Sequence, residues 1–346
     1  MRINKDSDFI KMYRFHILYS LMRCRIGTFR VILDKARFPK DNALSIITFS
    51  IFPQLTRIWY YFFTRIADSL NKYGYKTELI IIDCHGNLCV RRFPNAVIHR
   101  FVNIYHGRKL DYFVLRKIKG KLVWVCDDDT FIYSPELALE SVQSFYSDPN
   151  QAAISFMPRF RWRIHINNEE VMPMGSYCVL LNRDIVTKER LLFSSNPTNP
   201  HYPGNKYDTG DFMHEALLKR GYNVKILDQH MRDEYVLGFK GGSISKILEW
   251  GCSKEELTDY FRNPFSYGGH LRYHLLSFYI STKVSEIYNK LFNDDKYFPL
   301  FKENELMTFI DGIRDEGCKK TIIELFDSTK KSYKKILEII GGERSD

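Results

Sequence analysis

Three consecutive carboxylates follow a short run of apolar residues in the first half of the chain. The run is LVWVC, residues 122–126, and Asp127, Asp128 and Asp129 come directly after it. Like charges a few ångströms apart at a partly buried position repel one another and raise each other's pKa. A divalent cation removes that repulsion, and Mg²⁺ binds one or two carboxylates together with phosphate oxygens. The pattern predicts a metal and diphosphate site; the simpler alternative is a solvated turn with one capping Asp.

Two further Asp residues stand at the boundaries of predicted elements. Asp83 ends an apolar run before the turn 84–87, where it either contacts a ligand or only shapes the turn. In YDTGDFMHEALLKRGYNVKIL, residues 207–227, Asp208 fits a helix N-cap and Asp211 the third helical position. Helix capping is therefore one interpretation of Asp211, and a catalytic carboxylate is the other.

The elements that would position these residues alternate between strand and helix. Strands are predicted at 44–50, 79–82, 97–104, 122–126, 152–157, 177–181 and 223–227, and helices at 55–70, 110–118, 135–145 and 208–220. Such alternation is typical of a mostly parallel, doubly wound α/β sheet. Ligands of these sheets bind beyond the carboxyl ends of the strands, where Asp83 and residues 127–129 fall.

The composition and the charge exclude several classes of protein. The chain has 346 residues, 45% hydrophobic and 27% charged, which suits a globular protein with a substantial core. Its net charge is +10, and residues 1–40 carry +7 of it. The remaining chain is close to neutral, which argues against a nucleic-acid partner. No apolar run reaches the roughly 18 residues of a membrane span, and seven scattered Cys residues indicate reduced thiols in a cytoplasmic protein.

Together, the segments resemble the nucleotide-sugar-dependent glycosyltransferases of the GT-A fold, especially the bacterial family-2 group. In that family an early strand opens the nucleotide-binding half, a later strand ends in D-x-D, and a downstream acid begins a helix leading to R/K-x-G-Y/F and a strand. The matching segments here are LSIITFS at 44–50, VWVCDDDTFIYSPE at 123–136 and residues 207–227. The resemblance covers about residues 43–245.

The resemblance implies a GT-A (Rossmann-like) sheet and a role for each acidic residue. Asp127 and Asp129 would hold Mn²⁺ or Mg²⁺ on the donor diphosphate. The donor nucleotide would contact Asp83, Asp127 and Asp128. Asp211 would deprotonate the acceptor hydroxyl, and a single displacement then implies inversion at the anomeric carbon. The partners would be a nucleoside-diphosphate sugar and a glycan or lipid-linked saccharide, as in bacterial surface polysaccharide or glycolipid synthesis.

The chain departs from the family pattern at two positions. Gly210 stands where the family has a second acid, and residues 236–243 lack the His that often precedes Gly-Gly-Ser as a metal ligand. His230 lies nearby and is predicted to substitute, although a lone His is more often an ordinary surface or core residue. Arg108 and Lys109 are weaker candidates for pairing with phosphate.

Two other functions stay open. Residues 127–130 match the D-x-D-x-T motif of haloacid-dehalogenase-type phosphatases, and Gly210-Asp211 with Glu215 approximates their metal motif. That nucleophile, however, normally ends the first strand of its domain, whereas two or three predicted strands precede Asp127. An inactive nucleotide-sugar-binding protein is the second alternative, because Gly210 replaces the usual acid.

Three regions follow from these patterns: a basic leader at 1–42, a GT-A catalytic domain at 43–245 and a helical C-terminal extension at 246–346. The catalytic domain divides into a nucleotide-binding half, 43–135, and an acceptor half, 136–245. The leader mixes basic and apolar residues. It is predicted to be either an amphipathic helix on the inner face of an anionic membrane, with contact through residues 1–40, or a helix packed on protein.

Overall fold

A seven-stranded sheet between two layers of helices forms the centre of the computed structural model, which describes residues 3–33, 44–166, 168–239, 241–293 and 297–342. The strands of this sheet are β1 (Leu44–Ser50), β2 (Thr77–Asp83), β3 (Ala96–Arg100), β4 (Leu122–Cys126), β6 (Gln151–Ser155), β9 (Cys178–Asn182) and β10 (Asn223–Ile226). Their order is β10-β6-β9-β4-β1-β2-β3. Every pair is parallel except those of β9, which runs antiparallel to β4 and β6. The predicted α/β class with a mostly parallel sheet is confirmed.

Two small antiparallel pairs accompany the sheet. β5 (Thr130–Ile132) pairs with β11 (Val236–Gly238), and β7 (Ile164–Ile166) pairs with β8 (Glu169–Val171). Because β5 begins directly after residue 129, the first pair fixes the backbone that follows the three carboxylates.

The helices are α1 (Asp6–Leu33), α2 (Pro53–Lys72), α3 (His106–Leu110), α4 (Pro135–Ser147), α5 (Arg183–Lys188), α6 (Asp211–Lys219), α7 (Gln229–Tyr235), α8 (Ile244–Gly251), α9 (Lys254–Arg262), α10 (Gly269–Phe292), α11 (Glu303–Asp311) and α12 (Glu316–Gly342). Helices α2, α4 and α10 pack with one face of the sheet in one hydrophobic cluster. Helix α6 and the segment 110–118 pack with the other face in a second cluster. The predicted helical character of the C-terminal region is confirmed.

Local sequence explains the central elements. All seven residues of β1 are buried, as expected for a strand covered by helices on both faces. Pro53 occupies the first turn of α2, where its missing N–H costs no hydrogen bond. The hydroxyl of Ser134 accepts a 3.1 Å hydrogen bond from the backbone N–H of Leu137 and caps α4.

Three predicted elements have bounds that differ from the structure by more than two residues. The strand predicted at 97–104 ends at Arg100, and the helix predicted at 110–118 is α3 followed by a π-helical turn, Asp111–Lys117. The helix predicted at 208–220 begins only at Asp211, because Gly210 is the N-cap and adopts a left-handed φ of 81°. Asp208 instead accepts a 2.7 Å hydrogen bond from the N–H of Thr209.

The other regional predictions have mixed outcomes. None of the helices in the described residues is long and apolar enough to cross a membrane. All seven Cys residues are thiols. Of the basic leader, residues 1–2 and 34–42 lie outside the described residues, and Asp6–Leu33 form helix α1. The division into regions 1–42, 43–245 and 246–346 stays a prediction.

Candidate functional site

Side chains from several elements meet at the edge of the sheet where the parallel strands end. Asp83 ends β2, and Asp127 follows β4. Because β9 is antiparallel, its beginning lies at this edge, and the residue before it, Tyr177, is adjacent to Asp127. The N–H of Asp127 donates a 2.7 Å hydrogen bond to the carbonyl oxygen of Tyr177.

The three consecutive carboxylates have different environments. The side chain of Asp127 is 27% exposed. Asp128 is 3% exposed, and its Oδ2 accepts a 2.8 Å hydrogen bond from Oγ1 of Thr56. Asp129 is half-buried, and its Oδ2 accepts a 3.3 Å hydrogen bond from the N–H of Gly241. Asp127 and Asp129 are therefore the two more accessible acids, and Asp128 faces the core.

The loop that contacts Asp129 also joins the C-terminal helices. The N–H of Phe239 donates a 2.8 Å hydrogen bond to the backbone oxygen of Asp129. The carbonyl oxygen of Gly242 accepts a 3.0 Å hydrogen bond from Oγ of Ser277 on α10. A Cβ atom at Gly242 would lie 3.1–3.2 Å from side chains of α2 and α10, so glycine permits this close approach. Phe239, Gly241 and Gly242 thus connect the acidic cluster to α10.

Burial raises the pKa of all three carboxyl groups. The pKa of Asp128 rises to about 8 and that of Asp129 to about 6, and that of Asp127 lies well above its ordinary value of 3.8. The negative charge of Asp129 adds to the effect on both Asp127 and Asp128. Positive charge from Lys109 opposes it. Because the neighbouring negative charges repel one another, a positive charge beside them would favour the ionised forms of these carboxyl groups.

The donor atoms suit a hard divalent cation. Asp127 and Asp129 offer carboxylate oxygens, and Mg²⁺ commonly binds to one or two protein carboxylates and completes its shell with water and phosphate. Across the described residues, no three His, Cys, Asp or Glu side chains are grouped as a full protein metal site. The residues therefore fit a cation shared with a phosphate ligand.

His230, the third predicted metal ligand, is an exposed residue of α7. Its side chain is 84% exposed on α7, and its Nδ1 is 3.5 Å from Oε2 of Glu234 on the same helix. The contact is one helical turn long and needs no metal to explain it. The assignment of His230 as a metal ligand stays a prediction.

Arg159 connects the two acidic segments, and sequence reasoning did not identify it. Its Nε donates to Oδ1 of Asp211 at 2.8 Å, and its Nη1 lies 2.8 Å from Oδ2 of Asp208. Its guanidinium also donates to the hydroxyl of Tyr177 and lies 4.7 Å from the centre of that ring. Since Tyr177 binds the backbone of Asp127, Arg159 joins the helix carrying Asp211 to the strand-end acids.

Asp211 is a buried acid at the first position of α6. It is 0% exposed, and its Oδ2 has no hydrogen-bond partner among the residues that the structure describes. Burial raises the pKa of Asp211 to about 7, against the opposing effect of the Arg159 charge. A carboxyl group with this pKa exchanges its proton near neutral pH, as a general base must.

Tyr105 and His106 complete the contacts around the site. Nε2 of His106 lies 3.6 Å from Oδ1 of Asp127, and burial lowers the pKa of His106 to about 3, so its ring is neutral at neutral pH. The hydroxyl of Tyr105 is 2.9 Å from Oγ1 of Thr209. The backbone oxygen of Thr209 accepts a 3.4 Å hydrogen bond from Arg159. The contacts therefore form a closed ring, which we call the site ring. Its members are Asp127, Tyr177, Arg159, Thr209, Tyr105 and His106.

Asp83 forms the turn after β2. Its Oδ1 accepts hydrogen bonds from the N–H groups of His85 and Gly86 at 3.2 and 2.7 Å, and its Oδ2 accepts one from Leu88 at 3.1 Å. Arg100 lies 3.8 Å from the same carboxylate. These contacts show that Asp83 shapes the turn. Contact of Asp83 with a nucleotide stays a prediction.

Sequence signals for the missed residues were weak. Arg159 lies in MPRFRWR, residues 157–163, a basic and aromatic run within an irregular part of the sequence. Tyr177 is the first residue of the strand predicted at 177–181, and no local pattern reveals the direction of that strand. Lys109, a weak phosphate candidate, is buried, and its Nζ donates to Oδ1 of Asn103 at 2.9 Å.

The groups expected for a phosphatase are arranged differently. Asp127 follows the fourth strand of the chain, as the sequence suggested. Glu215 accepts hydrogen bonds from the hydroxyl of Tyr207 and from Lys219, the latter at 2.5 Å, and lies 3.0 Å from Nε2 of His201. This acid is thus engaged by its own neighbours.

Comparisons with known proteins give structural matches only. No protein-family profile matches the chain, and a search of curated proteins finds no match. Among solved structures, the chain is similar to the mannosyltransferase PcManGT from Pyrobaculum calidifontis in complex with GDP-Man and Mn²⁺. The identity is 14% and the TM-score 0.35, over 97% of this chain and 91% of that one.

Two further solved structures are similar over about half of the chain or more. One is 4-diphosphocytidyl-2C-methyl-D-erythritol synthase from Anaerococcus prevotii, at 11% identity and TM-score 0.35, over 56% of this chain and 96% of that one. The other is a glycosyltransferase involved in glycosylation of the major capsid of PBCV-1, at 13% identity and TM-score 0.32, over 60% and 99%.

Proposed function

We propose that this chain is a GT-A glycosyltransferase that moves a sugar from a nucleoside-diphosphate sugar to an acceptor hydroxyl, with inversion at the anomeric carbon. One observation carries the proposal: Arg159 bonds Asp211 at 2.8 Å and also Tyr177, whose backbone bonds Asp127 at 2.7 Å. A buried acid with a pKa of about 7 therefore belongs to the same site as the strand-end carboxylates. An acid at each end of one site suits a reaction in which a hydroxyl nucleophile displaces a metal-bound leaving group.

Asp127 and Asp129 form the donor end of this proposal. They would hold Mn²⁺ or Mg²⁺ together with the donor diphosphate, and the bound cation would neutralise charge on the departing nucleoside diphosphate. The N–H of Gly241 orients Asp129 through its 3.3 Å bond to Oδ2. Lys109 contributes positive charge from a buried position.

Asp83 and Asp128 have an indirect role in donor binding in this proposal. Asp83 already binds three backbone N–H groups, and Asp128 binds Thr56 at 2.8 Å. We propose that both shape the nucleotide pocket by fixing the loops after β2 and β4. A direct bond from either acid to the nucleotide would replace one of these internal bonds.

Asp211 forms the acceptor end. Arg159 holds Oδ1 of Asp211, and Oδ2 is left to take the proton of the acceptor hydroxyl. As the hydroxyl oxygen bonds to the anomeric carbon, the bond from that carbon to the donor phosphate oxygen breaks, and its electron pair leaves with the diphosphate. The acceptor would be a glycan or a lipid-linked saccharide.

The test measures release of nucleoside diphosphate from a panel of nucleotide sugars with Mn²⁺, with Mg²⁺ and with a chelator. We expect turnover that requires the cation and is lost in Asp129→Ala and Asp211→Asn. Asp184→Asn is the matched control, because Asp184 is 66% exposed and pairs with Arg183, which is not a member of the site ring.

Three outcomes would contradict the proposal. Full turnover in the chelator would exclude the metal role, and full turnover in Asp129→Ala would exclude its assignment as a ligand. Phosphate release from phosphomonoesters without any nucleoside diphosphate release would indicate the phosphatase. Donor binding without turnover for every acceptor class would indicate a binding protein.

A further inference from the structure

Helix α1 is apolar on two sides, and only one of them is covered by residues that the structure describes. The covered side repeats at intervals of three or four residues and consists of Phe9, Met12, His16, Ser20 and Cys24, all buried. Phe9 packs on Tyr260 with ring centres 5.5 Å apart, and Met12 contacts α8 at Gly251. One face of a helix packed in this way accounts for its attachment to the domain.

The opposite side of α1 carries large apolar residues in contact with solvent. They are each 36–69% exposed and comprise Ile10, Phe15, Ile17, Leu18, Leu21 and Met22. At 3.6 residues per turn, these positions form one continuous arc of about 160° around the helix. Exposed Lys11 and Arg14 fall within the same arc. We call this surface the outer face of α1.

We propose that the outer face of α1 binds the surface of an anionic lipid membrane. A surface helix normally presents polar residues to water, whereas this one presents a continuous apolar stripe. Helices that lie in a membrane interface combine such a stripe with Lys and Arg, whose long stems bury while their charged ends reach the headgroups. The outer face has both features.

Charge selects an anionic bilayer over other occupants. Residues 1–40 carry a net charge of +7 in a chain whose total is +10. The two acids of α1 lie outside the arc: Asp8 is buried, accepts hydrogen bonds from the N–H groups of Asn4 and Lys5 and lies 3.6 Å from Nζ of Lys11, and Asp6 lies 4.0 Å from His270. Positive charge therefore accompanies the apolar stripe without acidic residues to repel lipid phosphates.

The covered side of α1 places this surface near the strand ends. Oγ of Ser20 accepts a 2.9 Å hydrogen bond from the N–H of Asn103, just after β3. Sγ of Cys24 donates to the backbone oxygen of Asp83 at 3.5 Å, and the ring of His16 stacks on that of His85 with centres 5.6 Å apart. Membrane binding through α1 would hold this edge of the sheet close to the lipid surface, whatever reaction the site performs.

The experiment is co-sedimentation of the full chain with vesicles of phosphatidylglycerol and phosphatidylcholine, compared with phosphatidylcholine alone. We expect binding to the anionic vesicles that weakens with added salt, because salt screens the charges. Leu18→Glu with Leu21→Glu should lower the partition coefficient at least tenfold. Lys11→Glu with Arg14→Glu should remove the preference for anionic vesicles.

The matched control is Phe298→Glu, since Phe298 is 77% exposed but lies outside α1. It should bind vesicles like the wild type, and all variants should unfold at the same temperature because the changed side chains are exposed. Equal sedimentation of the Leu18→Glu, Leu21→Glu variant and the wild type would overturn the proposal. Absence of vesicle binding combined with concentration-dependent self-association would assign the outer face to a second copy of the chain instead. Neither result would bear on sugar transfer, which is measured separately.

Discussion

Nε of Arg159 lies 2.8 Å from Oδ1 of Asp211, and the second oxygen of that carboxylate, Oδ2, has no hydrogen-bond partner among the described residues. Asp211 is fully buried and the side chain of Arg159 is only 10% exposed, so the guanidinium fixes the orientation of the acid as well as its charge. Arg159 also bonds Tyr177 and Asp208. The side chain of Arg159, a member of the site ring, therefore determines how Asp211 is oriented toward that ring.

Replacing Asp211 with Asn keeps the shape of the side chain and removes its basicity. General base catalysis typically contributes about 10²–10⁴-fold, so we expect the rate of sugar transfer to fall by that range while donor affinity stays unchanged. Single-turnover transfer and donor binding by calorimetry measure the two quantities. Asp208→Asn is the control, because Asp208 also contacts Arg159 but is 58% exposed. Equal losses in both variants would argue against a base at position 211.

Activity should rise with pH through about 7, because Asp211 accepts a proton only when ionised and burial raises its pKa to about 7. A profile of kcat/KM against pH measures this limb. An acidic limb near pH 4 would show that an ordinary carboxylate, with the usual pKa, controls the rate.

The same group should make stability depend on pH. Between its ordinary value of 3.8 and about 7, Asp211 binds a proton in the folded state but not in the unfolded state. Its contribution is therefore fully present below about pH 4 and is lost as pH rises to about 7, by as much as ~4 kcal/mol. As pH rises across this range, the unfolding free energy of the wild type should fall relative to that of Asp211→Asn. Above about pH 7 the difference between the two should stay constant. A constant difference would contradict the raised pKa.

Replacing Arg159 with Met should raise the pKa of Asp211 further, because the positive charge that opposes burial is lost. We expect the acidic limb of the pH profile to move above 7, with lower activity at pH 7 and partial recovery at pH 9. Arg159→Lys should move the limb less, since a positive charge remains. Arg161→Met is the control, because Arg161 is exposed and contacts Tyr273 instead. If the acidic limb lay at the same pH in Arg159→Met and in the wild type, Arg159 would not control the pKa of Asp211.

Gly210→Ala tests the backbone before Asp211. The φ of Gly210 is 81°, and the left-handed region costs a residue with a Cβ atom about 1–2 kcal/mol. The new Cβ would have no atom closer than 3.5 Å, so strain rather than a clash is the expected cost. Gly204→Ala is the control, with a φ of 79° and nothing within 4 Å of its Cβ. Both variants should lose similar stability by chemical denaturation, and only Gly210→Ala should also lose transfer activity.

The elements that the sequence predicted best are the strands that are buried on both faces. Strands β1 and β4 have the predicted bounds because continuous apolar runs end at clear breaks, before Pro53 and Asp127 respectively. Asp211 was predicted at the third position of a helix and is instead at the first, because the start of α6 depends on the φ of Gly210, which a capping pattern does not report.

The residues that the sequence did not reveal depend on tertiary structure. Tyr177 joins the site because β9 is antiparallel, which places the beginning of that strand beside the ends of the others. Arg159 and His106 lie in segments without regular periodicity and acquire their roles from the residues that the fold brings next to them. Long-range pairing of this kind leaves no local pattern in the chain.

The loop residues Gly241 and Gly242 link Asp129 to Ser277, and this link affects how the protein moves. Gly241 bonds the Asp129 carboxylate, and Gly242 bonds the hydroxyl of Ser277 in α10. Any ligand that restrains Asp129 also restrains these two residues, and local opening of α10 must then break the same bonds. Occupancy of the diphosphate end should therefore appear as slower amide hydrogen exchange in α8 and α10, which contain none of the acids of the site.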